Sequence, residues 1–188
     1  MSNDIDVPGG PVTEQLSHDE VAARTAAAVG YNYEYHEKYY VSREKVREFA
    51  HASQLTDPIH HDVEAARAAG HADLVAPPIM FSLIGIIAHR PLFENAIVGY
   101  GRRPVVQSEQ KVHFHAPILA GMTLTTHVHF DQFRQAAGVD LIVTRNEISD
   151  QDGNPLVTSW TTLAGRSGED EDPAFMQAME KVMMYGAS

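Results

Sequence analysis

The chain contains no cysteine. That excludes disulfides, thiolate metal sites and a cysteine nucleophile together. No apolar run approaches the ~18 residues that a membrane-spanning helix needs. Met1 to Gly10 has no apolar core, so it does not read as a signal peptide. Basic residues are also scarce: 14 Lys and Arg stand against 25 Asp and Glu, for a formal net charge of -11. A balance of that sign argues against nucleic acid or an anionic membrane surface as partner. These absences lead to the expectation of a cytoplasmic chain. What is present is ordinary for a globular protein: 188 residues, 44% hydrophobic and 21% charged, enough for one domain with a proper core.

The organising stretch is Leu55 to Met80, LTDPIHHDVEAARAAGHADLVAPPIM. Asp57-Pro58 is turn chemistry, because the residue before proline is pushed out of the helical region. Asp62 can cap a short helix from Val63 to Ala69, which Gly70 stops. Pro77-Pro78 then leads into a helix, Pro78 to about Arg90, that is apolar on nearly all sides. Such a helix has to be covered around its whole circumference. Upstream, Tyr31, Tyr33, Tyr35, Tyr39 and Val41 fall on odd positions, as in a strand, and Ser42 caps a helix ending near Gln54. Leu16 to Val29 suggests a further short helix. Pro91 to Pro104 reads as a loop, with at most one helical turn at Leu92 to Ala96. Four strands follow: Val105 to His115, Met122 to Phe133, Val139 to Ser149 and Leu156 to Ala164. The last two flank a polar hairpin turn, Asp150 to Asn154. Strands on both sides of one buried helix give an α+β class.

Several pieces of this pattern occur together in one family. Asp57-Pro58-Ile59-His60, Gly70 followed by Leu74-Val75-Ala76-Pro77, the run Tyr40 to Ala50, Val143-Thr144-Arg145-Asn146 and Thr161 to Gly165 resemble the MaoC-like, (R)-specific hydratases and dehydratases. Within that family the chain is most similar to the non-catalytic, substrate-binding subunit of a (3R)-hydroxyacyl-ACP dehydratase. The resemblance covers roughly residues 30–168. It implies a single hotdog fold, an antiparallel sheet of about five strands around one long central helix. Residues 1–29 are then a flexible or partly helical extension, and 169–188 an acidic tail with a short helix. It also implies an acyl-ACP or acyl-CoA substrate in fatty acid metabolism, no cofactor, and pairing edge to edge with a catalytic hotdog subunit or with a second copy.

Dehydration of a (3R)-hydroxyacyl thioester needs a base for the C2 proton, an acid for the departing hydroxyl, and N–H donors for the thioester oxygen. His60 matches the family's catalytic histidine. The position five before it, where the family has Asp, is Leu55, which cannot transfer a proton. The glycine that donates an N–H at the helix start is matched by Pro77-Pro78, and proline has none. Asp57 and Asp62 are the nearby carboxylates, readable either as substitutes for the missing acid or as plain turn and cap residues. From this we expect a lyase subunit that is weak or inactive alone and holds the acyl chain for a partner. A self-sufficient hydratase using His60 with Asp57 is the alternative. The acyl chain is expected along Pro77, Pro78, Ile79, Met80, Ser82, Leu83 and Ile86, and the carrier at Arg102 and Arg103, which otherwise form a solvated loop. A third reading comes from a different class. His113 with His115, and His127 with His129, are i, i+2 pairs that two neighbouring strands could present to one metal, as in a cupin.

Overall fold

In a computed structural model the described residues are 17–97, 99–100, 105–136 and 138–165. Helix α1 (His18–Ala27) starts at a capping box in which Ser17 and Glu20 satisfy each other's backbone N–H groups. The tyrosine-rich stretch forms two short pieces, β1 (Asn32–Glu34) and β2 (Tyr39–Tyr40), rather than one strand. Both pair with the same long strand, β4 (Thr123–Ala136). Helix α2 (Arg43–Ala52) begins at the expected Ser42 cap. A 3-10 turn (Pro58–His60) and helix α3 (Val63–Ala68) follow, and then α4 (Met80–Asn95). Strands β3 (Val106–Phe114), β5 (Val139–Ser149) and β6 (Pro155–Gly165) complete an antiparallel sheet in the order β1-β4-β5-β6-β3. The Asp150 carboxylate accepts from the Asp152 and Asn154 amides and so closes the β5–β6 turn.

Two features of α4 differ from the sequence expectation. The helix does not end at Arg90 but passes through Pro91. A proline there leaves the Ile87 carbonyl without its ladder donor. Just past that point the Tyr33 hydroxyl, reaching over from β1, donates to Ala88 O (2.5 Å) and accepts from Leu92 N (3.1 Å). It therefore bridges the two backbone groups that flank the break. Burial lifts the Tyr33 phenol well above its ordinary range, so it remains a donor.

The second difference is coverage. The sheet packs on one side of α4 only, and on the other Ile86 is 71% exposed, with Ile79 and Ile87 also open. Strand β3 is an edge strand with most of its positions exposed, Phe114 at 49% and Val106 among them. Phe81 of α4 meets Phe114 edge-on, at 5.7 Å between rings.

The side of α4 that faces the sheet packs into two separate apolar clusters. Met80, Phe81 and Ile84 join Ile148, Leu156 and Val157, with Val41, Val46 and Leu74 behind them. Ala88, Leu92 and Ala96 join Val128, Phe130 and Ile142. Between the clusters the inner face of the sheet is polar. Thr144 and Asn146 of β5 lie buried opposite Thr161 and Ser159 of β6. Among the described residues no helix is long and apolar enough to cross a membrane.

Candidate functional site

The first centre lies where the 3-10 turn meets the start of α4. The Asp57 carboxylate accepts from the Ile59 amide (3.1 Å) and so starts the turn that carries His60. His60 is only 6% exposed, and its Nδ1 lies 2.6 Å from the Val75 carbonyl. A carbonyl can only accept, so Nδ1 carries the proton and Nε2 is the free base nitrogen. Val75 itself is fixed by its N–H on Ile59 O and by a bridge to Leu119, which sets the path into Pro77-Pro78. The Leu55 carbonyl accepts from His61 Nε2 (2.8 Å). The Asp62 carboxylate accepts from the Glu64 and Ala65 amides and caps α3. Both nearby carboxylates are thus engaged by backbone N–H groups, and neither bonds His60. Pro77 and Pro78 offer no N–H at the helix start, and the Met80 amide is turned to Pro77 O.

The residues expected along the acyl chain do not share one surface. Met80 is fully buried in the first cluster, Ser82 and Leu83 are half-buried, and Ile79 and Ile86 face outward. Arg102 and Arg103 lie outside the described residues, as do residues 1–16 of the extension and the expected acidic tail. The four strand histidines do not converge. Strands β5 and β6 separate β3 from β4, a gap of about 14 Å at ordinary strand spacing. His127 pairs instead with Asn32, His129 with Glu147 and His115 with Thr158. Among the described residues no group of three or more His, Asp or Glu side chains is placed to hold a metal.

A second centre, in the polar stretch between the two apolar clusters, was not singled out from the sequence. Gly85 and His89, one turn apart on α4, face Asn146. A Cβ on Gly85 would stand 2.9 Å from Asn146 Nδ2, so only glycine lets the Asn146 amide pack this close to the helix backbone. His89 is largely buried, and that burial drops its pKa to about 4, with a hydrogen-bonding interaction from the Asn146 side chain pulling the other way. The ring is therefore neutral in ordinary buffers. His89 Nε2, Asn146 Oδ1 and Thr144 Oγ1 are all buried and have no hydrogen-bond partner. The signal was available: Thr144 and Asn146 fall on the inward phase of β5, between Ile142 and Ile148, where the alternation calls for apolar residues.

Comparison with known proteins fits this architecture. Residues 27–159 match the family model for the FAS1-like, dehydratase domain region. The chain belongs to this dehydratase family. A UPF0336 protein of Saccharopolyspora erythraea is 42% identical over 135 residues, 72% of this chain and 86% of the relative. Among solved structures, the C-terminally truncated HadBC (3R-hydroxyacyl-ACP dehydratase) complex of Mycobacterium tuberculosis contains a similar chain. It is 32% identical with a TM-score of 0.68, over 73% of this chain and 97% of that one. A MaoC-like dehydratase is 36% identical with a TM-score of 0.76 over 84% of this chain. This chain spans about half (48%) of that longer one. The fold is therefore a MaoC-like hotdog, and the family places the chain in hydratase and dehydratase chemistry, a lyase-type activity.

Proposed function

We propose that this chain is the acyl-holding subunit of a (3R)-hydroxyacyl-thioester dehydratase or enoyl hydratase, with the proton transfers carried out by a catalytic hotdog partner. The observation that carries this reading is the state of the His60 centre. By the family resemblance Leu55 stands where the acid belongs, Asp57 and Asp62 are used as caps, and Pro77 and Pro78 have no N–H to offer an oxyanion. Losing one acid–base group typically costs 10²–10⁴-fold, and an oxyanion donor a comparable factor. The open face of α4 and the bare β3 edge support a partner: an exposed edge invites pairing, and Ile79, Ile86, Val106 and Phe114 are apolar surface to cover. The similar chain of known structure comes from a heteromeric dehydratase complex. The acyl chain, carried on ACP or CoA, runs along α4 in this reading, and the substrate is an enoyl or 3-hydroxyacyl thioester.

The test is hydration of an enoyl-CoA by the purified chain, alone and with a catalytic MaoC-like subunit. Negligible turnover alone, appearing on addition of the partner, is expected. His60→Ala should then change the rate of the complex by less than about tenfold, below the range for a lost general base. One observation favours a second reading, that of a self-sufficient hydratase. The Val75 carbonyl holds His60 in the tautomer a general base needs. Substantial activity of the isolated chain, reduced ~10²-fold or more by His60→Ala, would establish that reading and overturn the first.

A further inference from the structure

The sheet has two faces, and the one turned away from α4 carries an apolar strip that no described helix covers. All four helices place their apolar side chains in the two clusters on the inner face. The outward positions follow from alternation: Leu141 and Val143 of β5 flank the buried Ile142, and Trp160, Thr162 and Ala164 of β6 alternate with inward residues. The register sets them side by side, Leu141 against Ala164 and Val143 against Thr162. Leu141, Val143, Trp160 and Ala164 are half-buried and belong to neither cluster. Both borders of the strip are polar. Arg134 and Gln132 of β4 stand beside Leu141 and Val143, and Lys111 and Glu109 of β3 beside Trp160 and Thr162. The Lys111 ammonium lies 5.1 Å from the centre of the Trp160 ring. An apolar patch with a polar rim has the form of a docking surface.

The sequence that follows β6 suits this surface. The chain leaves the sheet at Gly165, beside Ala164 of the strip, and residues 166–188 lie outside the described residues and beyond the family match at 27–159. Glu169, Asp170, Glu171 and Asp172 come first. Phe175, Met176, Met179, Val182 and Met183 then fall at i, i+1, i+4, i+7 and i+8, the spacing of one apolar helix side. We infer that residues 173–185 dock on the outer strip of their own sheet as an amphipathic helix, with that apolar side against Leu141, Val143 and Trp160. Reach and charge both agree. Residues 166–172 extend up to about 23 Å. Arg134 lies two strand spacings from β6, about 10 Å, and Lys111 lies beside Trp160, about 17 Å back along β6 from Gly165. The acidic run therefore meets one of these cations as the chain turns back over the sheet. A helix over 173–185 is about 20 Å long, close to the length of the strip. Methionine suits a surface that ends on an indole, because its thioether packs well against aromatic rings. The docked segment leaves the open side of α4 and the β3 edge free for a hotdog partner, and the inference is independent of the acyl-holding reading.

A chain without cysteine and with a single tryptophan makes the test direct. A nitroxide is attached to the full chain through Gln177→Cys, off the apolar side of the segment, and its broadening of backbone amide signals is followed by NMR. The signals of Leu141, Val143 and Trp160 are expected to lose most of their intensity while those of Ile86 and Phe114 keep theirs. No loss is expected when the nitroxide is carried only by a second, NMR-silent copy. Met179→Asp combined with Met183→Asp should restore the signals and move Trp160 fluorescence to longer wavelength. Broadening centred on Ile86 and Phe114 would overturn the inference in favour of the open α4 face. Broadening from the second copy would overturn it in favour of docking between chains. Absence of broadening throughout the sheet would show the strip bare and overturn it as well. The labelled chain decides the matter even where the aspartate variant does not fold.

Discussion

His60 and His89 are both histidines taken out of water, and the fold treats them in opposite ways. His60 sits on a short turn with a capped start, its Nδ1 matched to a carbonyl at 2.6 Å, and every nearby carboxylate is occupied by backbone. His89 sits in the middle of a helix against the Asn146 side chain, and its Nε2 makes no well-aligned hydrogen bond. The first centre looks catalytic in sequence, yet its hydrogen bonds are those of a local scaffold. The second is nearly silent in sequence, yet it is the one left unsatisfied.

The comparison can be broken most forcefully with pH. His89 is held neutral, with a folded pKa of about 4 against an ordinary value of 6.5, so the unfolded chain binds its proton first. The contribution is intact above pH 6.5 and is lost as pH falls from there toward 4, by about 3 kcal/mol in all. Urea melts of wild type and His89→Leu across that range should converge in slope if another group is responsible, and diverge if His89 is. A smaller effect is expected at Gly85. Alanine there gains up to ~1 kcal/mol of helix propensity but overpacks Asn146 by roughly 1–3 kcal/mol, for a modest net loss. Asn146→Ala in the same chain should recover it, and a double-mutant cycle showing no coupling would place the two residues apart. The smallest changes belong to the His60 side. Asp57→Ala and Asp62→Ala should each cost about 1 kcal/mol, as lost caps do, with no change in the turnover of the assembled complex. A large kinetic defect in Asp57→Ala would make that carboxylate more than a cap.

Much of this was legible in the chain, for reasons that are local. Ser42 and Asp62 announce helices because a short side-chain acceptor before an apolar period has few other uses. The four long strands follow from alternation, and the hairpin from Asp150 to Asn154. The readings that failed depend on what lies beside a segment. Two histidine pairs on alternate positions look convergent until the strand order sets β5 and β6 between them. A helix apolar all round reads as wrapped, because sequence does not separate a covered face from an exposed one; Ile86 lies on the exposed one. The polar band escaped notice because Thr144 and Asn146 look like lapses in one strand's pattern. They become a continuous polar band only when β6 and α4 are laid over them.

The Tyr33 bridge has a bearing on how this chain comes to its fold. A helix ordinarily closes itself with bonds between residues four apart, so it can appear before anything else is in place. Here one link in α4 is made by a residue 59 positions away, on a strand that must first be docked to β4. The last turn of the helix, beyond Pro91, is then not closed by local bonds alone. Its closure depends on a docked sheet, which adds sequence-distant contact to an otherwise local element.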